Sequence, residues 1–337
     1  VRVALDCQLA VGTATGIGEY ARGLAAALRT AGVAVCELAN PRLDPWRFDR
    51  RVLWDQFELP ARLRASGADL LHATSGTMPL RTRVPVVTTV HDLAWLRVQG
   101  HTRAYARWYF GTFMRERYRT ATAIVVDSAF TRAEYLELVG GDPARVHVVY
   151  PGVDPAFATL QRTRVDRPFA LALGTVEARK NLLRAIETVA AIDGLRLVSV
   201  GPPTPYLEVC RARVAELGIV DRVEFHGYVD RAELLRLHAQ AAVALVPSRY
   251  EGFGYAAAQA LCAGIPLVSA ATSSLVEVTG SAGVLCDPDD GSAWIEATRA
   301  ALEPSDLDVT AMRRHAAERF AWSTAAAACN AIYRGVL

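Results

Sequence analysis

The sequence predicts an α/β protein made of two doubly wound domains, each with a parallel sheet. Three observations lead there. The chain has 337 residues, and a single core rarely grows past about 250–300. Short apolar runs of strand character alternate with helical patterns along its length, the arrangement that covers both faces of a parallel sheet with helices. Glycine-rich turns follow several of these runs, where such a sheet delivers its chain to a helix N-terminus.

Val1–Asp6 is an apolar opening strand. A glycine-rich loop, residues 12–18, leads into a helix with Tyr20, Leu24, Ala27 and Leu28 at helical spacing. The outline is that of a phosphate-binding turn. No G-x-G-x-x-G is present, however, which argues against a dinucleotide-dependent dehydrogenase. Further strands are expected at Val33–Leu38, Ala68–His72, Val84–Val90, Ala123–Asp127 and Val146–Tyr150. Ligands of parallel sheets bind beyond the C-terminal strand ends, where both His72 and His91 fall; His91 is the functional candidate and His72 is read as structural. Ser128 supplies a hydroxyl cap to the next helix.

The stretch Arg103–Arg119 mixes arginines with Tyr105, Trp108, Tyr109, Phe110, Phe113 and Tyr118. It reads first as a core helix with a solvated arginine face. The alternative is a basic, aromatic helix that touches an anionic membrane surface or an anionic acceptor.

Pro151–Pro155 closes the first domain, assigned to residues 1–160, and the polar stretch Thr159–Pro168 reads as a linker. The second domain, residues 169–320, opens with Phe169–Gly174, an apolar strand that ends in glycine. Arg179, Lys180 and Asn181 follow, and then a helix from Leu182. Leu195–Val200 and Val223–Val229 come next, and Asp230 is placed to cap a helix. Ala242–Val246 leads into the most informative stretch, Pro247–Pro266, before another strand at Leu267–Ser269. That stretch is loop, helix and turn. Glu251-Gly252-Phe253-Gly254 lies where the helix presents free N–H groups and partial positive charge, a ready place for phosphate. A carboxylate beside an anion-binding helix end suits a phosphorylated sugar; the plain reading is a βα turn with a solvated Glu. Helices are expected at Ala293–Leu302, Val309–Phe320 and Trp322–Tyr333.

Pro247–Pro266 resembles the nucleotide-sugar motif P-S-x-x-E-G-F-G-x-x-x-x-E-A-x-x-x-G-x-P of the retaining GT-B glycosyltransferases of family 4. The resemblance covers nearly the whole chain. It implies two Rossmann-like domains with an interdomain cleft, and a last segment, residues 321–337, that crosses back to the first domain. It also implies roles for particular residues. Glu251 and His91, the latter in a strand-end H-D, contact the donor sugar. Arg179 and Lys180, in the segment that starts at Gly174, bind the donor diphosphate, with Gly252, Phe253 and Gly254 at the helix end. Gly16 belongs to a loop that closes over the phosphates. Backbone groups at Tyr228 and Val229 read the base. The departure is Gln259, where the family has a second Glu that grips the ribose hydroxyls. The implied reaction is metal-independent, retaining hexosyl transfer from a GDP-, UDP- or dTDP-linked sugar, with GDP-mannose the first choice, to a sugar, lipid-linked or small-molecule acceptor. The rival readings are an epimerase or phosphorylase on the same architecture, and a nucleotide-sugar binding protein without turnover.

Composition narrows the classes. Hydrophobic residues make up 52%, enough for two cores, and the net charge of +2 does not call for nucleic acid. No signal peptide pattern and no apolar run of about 18 residues is visible, so a cytoplasmic protein is expected, with peripheral contact at the inner membrane face as the alternative. The six cysteines are widely spaced and form no CxxC pair, which reads as reduced thiols rather than disulfides or zinc ligands. The acids of 287–290 and 306–308 fall in expected turns and caps, so no metal or cofactor is expected. Of 37 basic residues, 36 are arginine and Lys180 is the one lysine.

Overall fold

The computed structural model describes residues 1–12, 16–97, 108–303 and 306–337. The chain divides into two compact units, Val1–Gly152 with Phe320–Leu337, and Val153–Arg319.

The N-terminal unit holds a six-stranded sheet in the order β2-β1-β3-β4-β5-β6. The strands are β1 (Arg2–Asp6), β2 (Ala34–Leu38), β3 (Leu70–Ala73), β4 (Val86–Val90), β5 (Ala123–Val126) and β6 (Val146–Val148), all paired in parallel. Their side chains alternate between two cores, as the two-residue period of a strand requires. Ala4, Leu71, Val86 and Ile124 join one core with Trp54, Leu59 and Tyr118. Val3, Leu5, Leu70, Val87 and Val125 join the other. There they pack with Tyr20, Leu24 and Leu28 of the helix Gly16–Thr30, and with Ala326, Cys329 and Tyr333 of the helix Trp322–Gly335. The last helix is therefore part of the N-terminal unit.

The C-terminal unit repeats the plan in the order β12-β11-β10-β7-β8-β9. These are β7 (Phe169–Leu173), β8 (Arg196–Val200), β9 (Val223–Phe225), β10 (Val243–Val246), β11 (Leu267–Ala270) and β12 (Val284–Cys286). The chain runs outward from β7 to β9 and then returns to lay β10 beside β7, so the strand order reverses between those two. Crevices at such reversals are where ligands of open α/β sheets bind. β12 was not expected: it is three residues long and carries no alternation of its own.

The polar stretch 159–168 is not a free linker. Thr163 donates from its backbone to Ala239, and the Arg162 guanidinium donates to the carbonyls of His238 and Ala241. The chain instead passes between units at Gly152–Val153 and again at Arg319–Phe320. The periodicity of 159–168 is weak because its tie to the unit is made through backbone groups and one arginine, which leave no apolar pattern.

Of the arginine-rich stretch 103–119, residues 103–107 lie outside the described part, as do residues 13–15 of the glycine-rich loop. In residues 108–119, Tyr109, Met114 and Tyr118 are buried in the core and Trp108 is exposed. No helix among the described residues is long and apolar enough to cross a membrane. All six cysteines are free, and five of them are buried.

Candidate active site

The end of β7 and the end of β10 place the central cluster of the C-terminal unit. After β7 the chain turns through Gly174 and one tight turn, Ala178–Lys180, before the helix Leu182–Ala190. After β10 it turns through Pro247–Gly254 into the helix Tyr255–Ala263. Arg249 donates its backbone N–H to the Arg179 carbonyl at 2.7 Å, which ties the two turns together. Lys180 Nζ then donates to Glu251 Oε1 at 2.6 Å, and Arg179 Nη1 lies 3.5 Å from Glu251 Oε2. Arg179 also pairs with Glu177 at 2.8 Å and donates to the Tyr250 carbonyl at 3.1 Å. Glu251 is thus held between two cations from a strand-end turn 71 residues away in sequence.

Burial pushes the Glu251 carboxyl toward its neutral form, but Lys180 and Arg179 outweigh it and hold the group below its usual range. Its backbone is fixed as well. Glu251 N–H donates to Ser273 Oγ at 2.9 Å, and Ser274 Oγ donates to the Glu251 carbonyl at 2.8 Å. The segment Thr272–Ser274 therefore serves to brace the glutamate. A shallow recess opens at these strand ends, lined by Gly174, Lys180, Ser199, Pro247 and Ser248 among others.

Two glycines are needed here. Gly254 has φ +95° and precedes the helix; a Cβ there would come within 2.6 Å of Leu275. Gly201, after β8, has φ +151°, and a Cβ would fall on the Gly174 carbonyl. Gly201 N–H donates to the Gly227 carbonyl at 2.7 Å, so the ends of β7, β8 and β9 are aligned in a row. Tyr228 follows Gly227 and is 56% exposed, and Val229 is half-buried. Gly252 and Phe253 are buried in the loop, with the Phe253 ring edge-on to Tyr255 at 5.2 Å. Gln259 is half-buried on the helix that follows. Gly174, Arg179, Lys180, Glu251 and Gly252–Gly254 are therefore brought together, with Tyr228 and Val229 further along the same rim.

In the N-terminal unit, Gly16 is exposed and opens its helix. His91 directly follows β4. Its Nδ1 lies 2.6 Å from Asp127 Oδ2 and its Nε2 lies 2.7 Å from the Thr74 carbonyl. Tyr20 meets the imidazole edge-on at 4.9 Å. His72 is fully buried between Tyr333 OH at 2.6 Å and Thr89 Oγ1 at 2.7 Å. Burial, and then the nearby His91, lowers its pKa to about 3, so it is neutral and structural.

Sequence reasoning missed two features. Asp127 is the partner of His91, and the available signal was a lone acid directly after the apolar run of β5. The other is a buried charge cluster at the ends of β1 and β3. Arg51 Nη2 pairs with Asp55 Oδ1 at 3.0 Å and reaches Asp6 Oδ2 at 3.5 Å. Trp54 Nε1 donates to Asp6, and Tyr109 OH and Thr77 Oγ1 donate to Asp55. Burial raises the Asp55 pKa to about 6 against the opposing pull of Arg51. Among the described residues no group of three or more His, Cys, Asp or Glu side chains stands together to hold a metal.

Comparison with known proteins fits this architecture. The pattern of "Glycosyl transferases group 1" matches residues 160–319, and that of "Glycosyltransferase Family 4" matches residues 14–157. A D-inositol 3-phosphate glycosyltransferase 1 of Catenulispora acidiphila is 32% identical over 82% of this chain and 74% of its own length. The chain belongs to glycosyltransferase family 4. A similar D-inositol 3-phosphate glycosyltransferase, from Xylanimonas cellulosilytica, is 33% identical over 75% of this chain and 67% of its own. An MMP alpha-(1->4)-mannosyltransferase of Mycolicibacterium hassiacum is 31% identical over 74% of this chain and 65% of its own. Among solved structures, a sucrose-phosphate synthase from Thermosynechococcus elongatus superposes with a TM-score of 0.80 at 21% identity, covering 99% of this family 4 chain and 98% of its own. Anabaena HepE, in complex with UDP and glucose, superposes with a TM-score of 0.74 at 17% identity, covering 99% of each chain. At these identities the likeness is one of fold, and the fold is GT-B.

Proposed function

We propose that the protein is a retaining, metal-independent hexosyltransferase that moves a mannose-like sugar from a nucleoside diphosphate to a hydroxyl acceptor. The observation that carries this reading is the cluster Glu251–Lys180–Arg179 at the strand-order reversal of the C-terminal unit, beside the N-terminus of the helix Tyr255–Ala263. Without donor, Lys180 neutralises Glu251. A bound diphosphate offers Lys180 a stronger anion, which leaves Glu251 free to accept hydrogen bonds from sugar hydroxyls. Lys180 and Arg179, with the N–H groups of Gly252, Phe253 and Gly254, then face the oxygen that gains charge as the glycosidic C–O bond breaks. In this reading the departing phosphate oxygen takes the acceptor proton while the acceptor oxygen bonds to the anomeric carbon on the same face. Gly174 leaves room for Lys180, Tyr228 and Val229 serve the base, Gln259 the ribose, Gly16 the phosphates and His91 the sugar. The relative named a mannosyltransferase supports a mannosyl donor, and the solved neighbour in complex with UDP and glucose supports a UDP-sugar; GDP-mannose is the first donor to test, with UDP- and dTDP-sugars next.

Calorimetry with GDP, UDP and dTDP, followed by transfer assays with the matching sugars, tests the reading. Absence of binding to all three overturns it.

A second reading concerns where the enzyme works. Gln56 accepts from the Leu80 backbone N–H and donates to Tyr109 OH, and three exposed apolar residues, Phe57, Leu80 and Trp108, belong to or directly adjoin this bonded set in the chain. Arg81 and Arg83 are exposed beside them, with no acidic partner among the described residues. This supports peripheral contact with an anionic membrane face. Co-sedimentation with phosphatidylglycerol vesicles, abolished by Trp108→Ser with Phe57→Ser, is the expected result; equal recovery with neutral vesicles refutes it.

A further inference from the structure

His91 is held on both ring nitrogens by oxygen atoms. Asp127 Oδ2 lies 2.6 Å from Nδ1 and the Thr74 carbonyl oxygen 2.7 Å from Nε2. A carbonyl oxygen can only accept, so Nε2 carries a proton. The hydrogen bond to Asp127 needs a second proton, which sits either on the imidazole or on the carboxyl. Imidazole is the stronger base, with an ordinary pKa of about 6.5 against about 3.9 for Asp. Burial works against the carboxylate and raises the Asp127 carboxyl above its ordinary range, with His91 opposing that rise; the charges around the ring favour the proton on the imidazole. Asp92, next in the chain, adds negative charge near the ring; His72 on β3 is neutral; Tyr20 presents only a ring edge. The Asp127 side chain is 3% exposed, and its Oδ1 is buried with no hydrogen-bond partner among the described residues. His91 is thus the counter-ion of this carboxylate.

We propose that Asp127 is a positioning residue that keeps His91 doubly protonated, so that His91 presents a fixed positive charge at the end of β4 instead of a nitrogen able to shuttle a proton. Both N–H groups are committed within the N-terminal unit. The ring is therefore locked in orientation, and its charge persists where a free histidine would be neutral. Burial opposes that charge, but the Asp127 carboxylate, the Thr74 carbonyl and Asp92 outweigh it and raise the His91 pKa. The catalytic consequence rests on the reading of the protein as a nucleotide-sugar transferase: a ring that stays doubly protonated keeps one charge state across the pH range of turnover and takes no proton from the acceptor.

The test has two arms. Nitrogen-15 spectra of the full chain, with His91 assigned through His91→Gln, report the protonation of each ring nitrogen. At about pH 7.5, a full unit above the ordinary histidine value, wild-type His91 is expected to carry protons on both nitrogens, whereas His72 carries one. In Asp127→Asn, His91 should lose its second proton below that pH. A single-proton His91 in the wild type, with the acid proton on Asp127, overturns the proposal, and this spectrum decides the matter even if Asp127→Asn does not fold. In the second arm, the pH profile of kcat/KM for donor turnover should gain an alkaline fall in Asp127→Asn, at or below the value of about 6.5 where an unassisted imidazole titrates, because burial still opposes the charge. An unchanged profile also overturns the positioning role. Should the wild type turn over no nucleotide sugar at all, the transferase reading fails while the spectral arm still decides the charge on His91.

Discussion

Replacing Lys180 with alanine separates two things the ammonium group does. It is 2.6 Å from Glu251 Oε1, and Arg179 stands 3.5 Å from the other carboxylate oxygen. Loss of one donor aimed at developing charge typically costs ~2.7–4 kcal/mol of barrier, or about 10²–10³ in kcat. The truncation also strips Glu251 of its nearest cation. Breaking a fully buried pair this way costs ~3–5 kcal/mol. Here Lys180 is 19% exposed and Arg179 remains, so a smaller loss of ~1–2 kcal/mol is expected. The assays are kcat and KM for donor turnover, calorimetry with the nucleoside diphosphate, and denaturant unfolding. Lys180→Ala combined with Glu251→Gln removes both charges, so stability should recover while turnover stays low. A single variant that folds and keeps kcat within about threefold, well short of the expected loss, refutes the phosphate role. A double variant that regains turnover would show that Lys180 acts only by shielding Glu251.

Four further outcomes follow from the same structure. Gln259→Glu should raise the preference for UDP over dTDP in calorimetry, because a charged acceptor grips two ribose hydroxyls more strongly than one; an unchanged ratio means residue 259 does not face the ribose. Turnover should survive excess EDTA, and a loss restored by Mg²⁺ or Mn²⁺ would contradict the metal-free mechanism. Gly201→Ala should destabilise the protein by ~1–3 kcal/mol in denaturant unfolding, since its Cβ meets the Gly174 carbonyl and no flexible side chain can yield there; an unaltered midpoint would refute the close approach. Glu251 is held below its ordinary pKa by Lys180 and Arg179, so its contribution to stability is complete above about pH 4.3 and is lost on acidification below that value. Lys180→Ala should therefore flatten the acid limb of the stability profile, and an unchanged limb would show that the pairing contributes nothing.

Much of the fold was legible because a parallel sheet covered on both faces leaves continuous apolar runs. Ten of the twelve described strands were read as strands within a few residues, while Val223–Phe225 was singled out as a motif segment without a strand assignment; the hydroxyl and carboxylate caps at Ser128 and Asp230 accept from Thr131 and Glu233 as expected. Leu70–Ala73 and Val243–Val246, buried along their whole length, were the plainest cases. The exceptions have physical causes. Val284–Cys286 is too short to hold a pattern. Residues 159–168 join the C-terminal unit through Arg162 and backbone groups, which hydrophobic periodicity does not record.

The candidate site divides along the same line. What a diphosphate needs is a tight turn, N–H groups at a helix end and one or two cations, and all of these lie within short local segments. Gly174–Lys180 and Glu251–Gly254 could therefore be found as strings, and only their meeting through Arg249 N–H and the Lys180–Glu251 pair had to come from three dimensions. The N-terminal unit works differently. Its polar groups arrive from four separate strand ends: Asp6 from β1, Thr74 and Ser75 from β3, His91 from β4 and Asp127 from β5. No string joins them, yet Ser75 Oγ donates to Asp6 at 2.6 Å, Thr74 Oγ1 donates to the Asp6 carbonyl, and His91 spans Thr74 and Asp127. Each of these residues is one polar position after an apolar run, identical in appearance to a strand terminator. What distinguishes them is burial: Asp6 and Thr74 are no more than 1% exposed and Asp127 is 2% exposed. A buried carboxylate at a strand end needs a partner, and the strand order places β4 between β3 and β5, which is where His91 meets both of its acceptors.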